Sequence, residues 1–169
     1  FFPGSTIGNM IARTATDLLR SMRETLGEGA LLLIGMDLVK DESVLLSAYD
    51  DAAGVTARFN LNLLARINRE LDGDIPQAAF AHEARWNDTF ARIEMHLVAR
   101  EGVAFNVSGQ PFTMRAGESI HTENSHKFTK RSSQLLLAAG GWEPRARWAD
   151  EARQFSLLLA EAAPARSAP

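Results

Sequence analysis

The segment from residue 117 to residue 128 carries the side chains best suited to ligand chemistry. In an extended segment Glu123 and Ser125 point to the same face, because successive side chains alternate between the two faces. A carboxylate accepts a hydrogen bond from an N–H group, and a hydroxyl can donate or accept one. The pair could therefore meet both nitrogens of an imidazole ring.

A metal site is the alternative interpretation of this segment. Its possible ligands are Glu118, His121, Glu123 and His126. Their spacing does not match the helical HExxH motif of zinc enzymes, and polar residues commonly cluster on loops. We therefore expect no metal site. His82 and His96 stand alone in the sequence, and we expect each to be structural or exposed.

The first nine residues, FFPGSTIGN, are typical of a buried strand that runs into a tight loop before a helix. Open α/β sheets bind ligands at such loops. Gly4 and Gly8 can adopt backbone angles closed to other residues, and Asn9 adds a short polar side chain. A plain strand-to-helix turn capped by Asn9 or Thr14 is the alternative.

Two further residues each have a binding and a structural interpretation. Tyr49 is the only tyrosine and falls just before a predicted helix break, where its hydroxyl could reach a cleft or its ring could simply pack. Asp37 lies near the end of an apolar stretch. It could contact a ligand there or cap the next helix.

Three stretches together resemble a known enzyme family: the opening FFPGSTIGN, DDAAGVT at residues 50–56 and IHTENS at residues 120–125. They are similar to the histidine-specific, S-adenosylmethionine-dependent methyltransferases, which trimethylate the α-amino group of histidine in ergothioneine biosynthesis. The likeness extends from Phe1 to about Glu161. It implies L-histidine as the small-molecule substrate, S-adenosyl-L-methionine as the cofactor, and substrate-binding roles for Gly4, Asn9, Tyr49, Met95, Glu123 and Ser125.

Within that resemblance, Glu123 and Ser125 would hold the imidazole, while Asn9 and Tyr49 would hold the α-carboxylate and amino group. Met95 would line the pocket, although beside Ile93 and Leu97 it is equally a core residue. Thr56 is a weaker candidate. The resemblance identifies no catalytic residue. One departure is HKF at residues 126–128, where the family has a tyrosine-rich continuation.

The glycine-rich loop that grips the methyl donor in this family is absent from the chain. The family carries that loop in a long upstream half, so we interpret the chain as a carboxy-terminal half that is inactive alone. The exposed apolar pair Phe1 and Phe2 then needs strand partners, either from the missing upstream half or from a homo-oligomer.

The predicted fold class is α/β: the carboxy-terminal half of a Rossmann-like class I methyltransferase sheet, with an inserted α+β substrate-recognition unit. We assign residues 1–39 and 129–161 to the sheet, residues 40–128 to the inserted substrate-binding unit, and residues 162–169 to a disordered tail.

Hydrophobic periodicity supplies the elements of this fold. Helices are predicted at 14–26, 40–49, 55–71 and 129–139, with a short one around Phe80. The stretch 30–39 is predicted to be a central parallel strand, the stretches 93–99, 103–107 and 112–115 a small antiparallel sheet, and the stretches 142–148 and 155–161 the last two strands. In the second helix of the insertion, every fourth residue from Val55 to Leu71 is apolar, which predicts a core-facing stripe.

Composition narrows the function further. A net charge of -3 and a pI near 5.8 disfavour nucleic acid as a partner. The absence of cysteine excludes disulfides and thiol catalysis. The longest apolar run, residues 30–34, is too short to span a membrane, and we expect a cytoplasmic protein. Two other functions remain open: a methyltransferase for another amino acid or amine, and a non-catalytic small-molecule binding fragment.

Overall fold

The computed structural model describes residues 1–164 of the chain, which form two compact units. Unit 1 comprises Phe1–Lys40, Thr89–Arg92 and the chain from Asn124 onward; unit 2 comprises Asp41–Asp88 and Ile93–Glu123. The chain therefore leaves unit 1 after Lys40 and returns to it for good at Asn124. The α/β class predicted from the sequence is confirmed.

Unit 1 is built on a three-stranded antiparallel sheet in the order β1-β8-β7. The strands are β1 (Leu31–Asp37), β7 (Trp142–Ala149) and β8 (Phe155–Ala162). Strand β8 lies between the other two, and its register with β1 runs from Leu31 opposite Glu161 to Asp37 opposite Phe155. Among residues 1–164, only Phe2 pairs with β1 in the parallel direction, through an isolated bridge to Ile34. The stretch is a strand as predicted, but the prediction of a central parallel strand is wrong, because β1 lies at the edge of this sheet and pairs with β8 in the antiparallel direction.

Helices α1 (Ala12–Leu26) and α4 (Lys130–Ala139) cover one face of this sheet. The apolar face of α1 buries Leu19, and the helix ends at Gly27, whose φ of 85° is open mainly to glycine. Thr129 caps α4 by accepting a hydrogen bond from the Ser132 backbone N–H. The indole N–H of the buried Trp142 donates to the Leu19 carbonyl at 2.8 Å, so the core also satisfies its polar group.

Unit 2 contains helices α2 (Glu42–Tyr49) and α3 (Val55–Glu70), separated by the predicted break. Asp41 caps α2 by accepting from the Ser43 N–H at 2.8 Å. The predicted core-facing stripe of α3 is wrong, because Phe59 is 67% exposed. Asn60 and Leu64 are buried instead.

The hydrogen bonds of Asn60 explain why α3 buries this face. Its amide nitrogen lies 3.0 Å from Nδ1 of His82 and donates to the His96 carbonyl at 3.2 Å. A buried amide is stable when it is hydrogen-bonded in this way. Sequence periodicity counts asparagine as a surface residue and so assigned the wrong face.

Two small sheets complete unit 2. The strands are β2 (Phe80–Asn87), β3 (Arg92–Ala99), β4 (Val103–Val107), β5 (Gln110–Met114) and β6 (Ser119–His126). Strands β2, β3 and β6 form one sheet in that order, while β4 and β5 form a separate hairpin. The predicted single sheet of three successive strands is therefore wrong. The predicted short helix around Phe80 is a 3-10 turn at Gln77–Ala79, and Phe80 begins a strand that was not predicted.

The carboxy-terminal strand β8 ends at Ala162, the first residue of the predicted tail. Residues 165–169, the last five of that predicted tail, lie outside the described residues. Across residues 1–164, none of the helices is long and apolar enough to cross a membrane.

Candidate functional site

The opening loop of unit 1 is held tightly against the end of β1. Gly4 has a φ of 62°, and its carbonyl packs so closely on Gly35 that a side chain on Gly35 would collide with it. Ser5 Oγ accepts a hydrogen bond from the Asp37 backbone N–H at 2.9 Å. The loop continues as a 3-10 helix at Thr6–Asn9, so Gly4 and Asn9 both lie in the predicted strand-to-helix loop.

Gly8 anchors the same loop to the end of β6. A Cβ on Gly8 would lie 2.7 Å from the His126 carbonyl oxygen, closer than real Cβ atoms come to other atoms. His126 Nδ1 lies 2.8 Å from the Gly8 carbonyl oxygen. The glycine is therefore required for close packing of two backbone segments of unit 1.

Within unit 1, the end of β1 and the end of β6 bring together a group of charged and hydroxyl side chains that sequence analysis missed in part. The Lys127 ammonium donates to Asp37 Oδ2 and to Ser125 Oγ, each at 2.8 Å. Lys40 donates to the other Asp37 oxygen at 2.6 Å. Asp37 therefore interacts with two lysines and does not cap α2.

In unit 2, Tyr49 ends α2 and is half-buried. Its backbone carbonyl lies 2.7 Å from His82 Nε2. Since His82 Nδ1 meets the Asn60 amide, both ring nitrogens of this histidine have partners. The prediction that His82 is structural agrees with these contacts.

Met95 on β3 is buried, with 4% of its surface exposed. Its carbonyl accepts from the Thr122 hydroxyl at 3.0 Å, which ties β3 to β6. Glu123 is half-buried and lines a pocket of about 190 Å³ together with Phe59, Asn60, Asn62, Leu63, Arg66 and Thr122. The pocket thus combines a carboxylate, a guanidinium and apolar surface.

Strand β6 carries both residues predicted to recognise an imidazole. Glu123 is the last residue of unit 2 and Ser125, which is buried, belongs to unit 1. Between them, the amide oxygen of Asn124 is buried and has no hydrogen-bond partner among the described residues. An unsatisfied buried acceptor is uncommon and marks this point of the strand as one where a donor could bind.

One cluster of potential metal ligands occurs in the described part of unit 2: Glu94, His96 and His121. It includes His96, which is isolated in the sequence and was expected to be structural or exposed; the residue is buried. The His96 and His121 rings stack with centroids 4.7 Å apart, and His96 Nε2 lies 3.3 Å from Glu94 Oε2. Burial lowers the pKa of His96, which favours its neutral form.

Hydrogen bonds already engage these three side chains. His96 Nδ1 lies 3.2 Å from the Ser119 hydroxyl, and His121 Nε2 lies 3.0 Å from the Glu123 carbonyl oxygen. The Asn87 amide donates to Glu94 at 2.9 Å. Metal-binding histidines usually direct one ring nitrogen to the ion, whereas here a hydrogen-bonded network accounts for the arrangement. The expectation of no metal site remains a prediction.

The six residues predicted to bind substrate divide equally between the two units. Gly4, Asn9 and Ser125 lie in unit 1, and Tyr49, Met95 and Glu123 lie in unit 2. Their individual roles toward a substrate remain predictions. Lys127 was missed because a single lysine beside polar residues normally indicates a solvated surface.

A family model described as a histidine-specific, S-adenosylmethionine-dependent methyltransferase matches residues 1–162. The histidine N-alpha-methyltransferases of Mycolicibacterium smegmatis and Mycobacterium tuberculosis are each 45% identical to the chain over 161 residues, which cover 94% of the chain and 50% of each relative. Ergothioneine biosynthesis protein 1 of Neurospora crassa is 29% identical over 86% of the chain and 16% of its own length.

The chain therefore spans about half the length of the curated histidine methyltransferases that it matches. Among solved structures, the CcbJ methyltransferase from Streptomyces caelestis matches with a TM-score of 0.48 and 11% identity, over 95% of this chain and 58% of that one. The chain itself has an α/β architecture with an antiparallel β1-β8-β7 sheet.

Proposed function

Because this chain belongs to the histidine-specific, S-adenosylmethionine-dependent methyltransferase family, we propose that the protein it forms methylates the α-amino group of L-histidine. The observation that carries the proposal is the family match over residues 1–162, with 45% identity to two proteins named histidine N-alpha-methyltransferase. The family determines the reaction class, and the side chains on β6 support the choice of substrate.

The imidazole of histidine is the part of the substrate that distinguishes it from other amino acids. We assign its recognition to Glu123 and Ser125, which are two residues apart on β6 and so share a side of the strand. A carboxylate accepts from the ring N–H, and a hydroxyl serves the second nitrogen. Sites that hydrogen-bond a substrate group reject analogues that lack it, because the polar groups of the protein would be left unpaired.

The remaining assignments concern the amino-acid end of the substrate. We assign the α-carboxylate and amino group to Asn9 and Tyr49, with the Gly4 backbone nearby and Met95 lining the pocket. Gly4 has open space above its Cα, since a Cβ there would meet only Thr6 Oγ1 at 3.8 Å. A small ligand could therefore approach the main chain at Gly4, whereas Gly8 and Gly35 are packed against other backbone segments.

The methyl donor does not fit the residues of this chain. Its family motif, a glycine-rich loop between a strand and a helix, is absent from the sequence. Other backbone segments of the chain occupy the space beside Gly8 and Gly35, so a ligand has no room at these two glycines. We therefore assign no residue to the donor, and we propose that this chain supplies recognition and orientation of the acceptor.

The acceptor amine must lose its proton before it can be methylated. A free α-amino group has a pKa of about 8, so roughly a tenth of it is neutral at pH 7. Orienting that neutral amine and excluding water contribute through proximity rather than through a strong base. We name no general base among the described residues.

We further propose that the reaction continues to the trimethylated product, hercynine, in the ergothioneine pathway. The similarity to a protein named ergothioneine biosynthesis protein 1 supports this pathway. Successive methylation requires a site that accepts the amine in several methylation states, so product mass directly reports how far the reaction proceeds.

A mass-spectrometric transfer assay tests the proposed function. Histidine and S-adenosylmethionine are incubated with the chain alone and with the complemented protein, which is the chain joined to the half of the Mycolicibacterium smegmatis relative that it does not match. We expect successive methyl additions to histidine with the complemented protein only. Adding tryptophan, tyrosine or lysine, each in the same excess over histidine, should not lower the amount of methylated histidine. Preferred methylation of one of these competitors would point to another amine substrate, and no transfer by a folded complemented protein would support a non-catalytic binding fragment.

A further inference from the structure

Helix α3 carries a row of exposed apolar side chains that the proposed function does not use. Val55, Phe59 and Leu63 stand at every fourth position, so they lie next to one another on the helix surface. They are 57%, 67% and 38% exposed, and we call these three side chains the α3 patch. Scattered exposed apolar residues are normal, whereas contiguous exposed patches mark contact surfaces.

Another side of α3 already packs on the core of unit 2. Leu64 is fully buried there, and Leu61 and Ile67 are partly buried against the same cluster. The apolar surface of α3 therefore extends beyond the part that its own unit covers. Because an ordinary surface helix needs only one apolar stripe, a wider apolar surface is typical of a helix that is covered from a second side.

The sequence pattern of α3 leads to the same conclusion. Every fourth residue from Val55 to Leu71 is apolar, which is the pattern of a buried helix face. In the described chain, only Ile67 of these five residues packs against the core cluster of unit 2. Local pattern and environment normally agree in natural proteins. They would agree here if a further segment covered the α3 patch.

A length comparison indicates where that segment comes from. The chain spans about half the length of the two histidine N-alpha-methyltransferases that it matches at 45% identity. We propose that the α3 patch is a docking surface for the half of such a polypeptide that this chain lacks. The patch lies in unit 2, so this contact is distinct from the strand pairing expected at Phe1 and Phe2 in unit 1.

The charges beside the patch define the chemistry of the docking segment. Arg58 and Arg66 are its exposed charged neighbours on the helix. Arg66 pairs with Glu70 at 3.1 Å, whereas the Arg58 guanidinium donates to the Ala53 carbonyl at 2.9 Å. A segment that fits this surface has apolar residues three or four positions apart, as in a helix laid along α3, and an acidic residue facing Arg58.

Thiol labelling of the complemented protein tests the docking surface. This chain contains no cysteine, so a single introduced thiol reports on one position once serine replaces any cysteine of the added half. Phe59→Cys places the thiol on the patch. Arg69→Cys is the matched control, because it lies on the same helix away from the patch and its side chain is 65% exposed.

We expect the thiol of Phe59→Cys to react about 10-fold or more slowly than that of Arg69→Cys, each relative to its rate in denaturant. A covered side chain reacts only when the contact opens. Equally fast labelling at the two positions would overturn the inference. Protection of Phe59→Cys that appears only as the protein concentration rises would show a second copy on the patch and would also overturn it.

Hydroxyl-radical footprinting of the unmutated complemented protein keeps the inference testable if Phe59→Cys does not fold. Phe59 is more exposed in this chain than Phe112 on β5, which is 48% exposed. Docking reverses that order, so Phe59 should be oxidised less than Phe112, and the opposite order would overturn the inference.

Neither measurement requires substrate, so the inference does not rest on the proposed function. A protected patch in a protein that fails to methylate histidine would refute the proposed function alone. An exposed patch in a protein that methylates histidine would refute the docking surface alone.

Discussion

Replacing Asp37 with asparagine tests the buried charge arrangement in unit 1. The substitution keeps the shape of the side chain but removes the charge that lies between Lys127 at 2.8 Å and Lys40 at 2.6 Å. The Lys127 side chain is fully buried, so its ammonium would lose its counter-ion where water cannot replace it. Removing one partner of a buried ion pair typically costs about 3–5 kcal/mol.

The structure favours the lower end of that range. The Asp37 side chain is 19% exposed, and an asparagine oxygen can still accept one hydrogen bond. We therefore expect Asp37→Asn to lower the free energy of unfolding by about 3 kcal/mol. Adding Lys127→Met should restore part of that loss, because it removes the buried ammonium that the Asp37 carboxylate had neutralised.

Urea unfolding of the chain, followed by tryptophan fluorescence, measures these differences. Two of its three tryptophans, Trp142 and Trp148, lie in unit 1. The control is Asp17→Asn, which removes an exposed ion pair with Arg20 at 3.8 Å and should change the unfolding free energy by less than about 0.5 kcal/mol. An Asp37→Asn variant as stable as this control would refute the reasoning, as would a double variant less stable than Asp37→Asn alone.

Three further predictions follow from contacts in the two units. Gly8→Ala should lower the thermal unfolding midpoint measurably, because its Cβ would lie 2.7 Å from the His126 carbonyl oxygen; an unchanged midpoint would contradict the packing. Backbone hydrogen bonds at the start of α3 lower the pKa of Asp51 to about 2, below its ordinary 3.8, so its stabilising effect is present above pH 3.8 and is lost as the pH falls toward 2. Asp51→Ala should therefore destabilise the chain in urea titrations at pH 6 but have little effect near pH 2. Because hydrogen bonds account for the contacts of His96 and His121, a chelator should leave the unfolding midpoint unchanged, and a drop reversed by zinc would contradict this.

The sequence predicted most of the fold where local pattern determines structure. The helix ending at Gly27 and the apolar strand that follows it were found because their periodicity is strong and a glycine separates them. Strand β2 was missed because six of its eight residues are only half-buried, so it lacks a clear apolar face. The separate β4-β5 hairpin depends on pairing partners, which a period of two does not specify.

The candidate site was predicted to a similar extent. Sequence spacing identified Glu123 and Ser125 on one strand, and the opening loop was placed correctly after the Phe2 bridge. The contact between Lys127 and Asp37 joins residues 90 positions apart, and the buried face of α3 depends on the hydrogen bonds of Asn60. Such long-range polar contacts are set by tertiary structure and leave no local pattern in the sequence.

The central claim is that this chain recognises the imidazole of histidine, and the most direct test compares two glutamate variants of the complemented protein. Glu123→Gln removes the proposed charge-assisted acceptor, and Glu101→Gln makes the same change at an exposed glutamate in the loop after β3. Because a hydrogen bond to a charged group is worth about 1.5–3 kcal/mol, we expect Glu123→Gln to lower kcat/KM for histidine by roughly 10- to 150-fold while Glu101→Gln leaves it unchanged. Equal values of kcat/KM for the two variants would contradict the assignment of histidine recognition to β6.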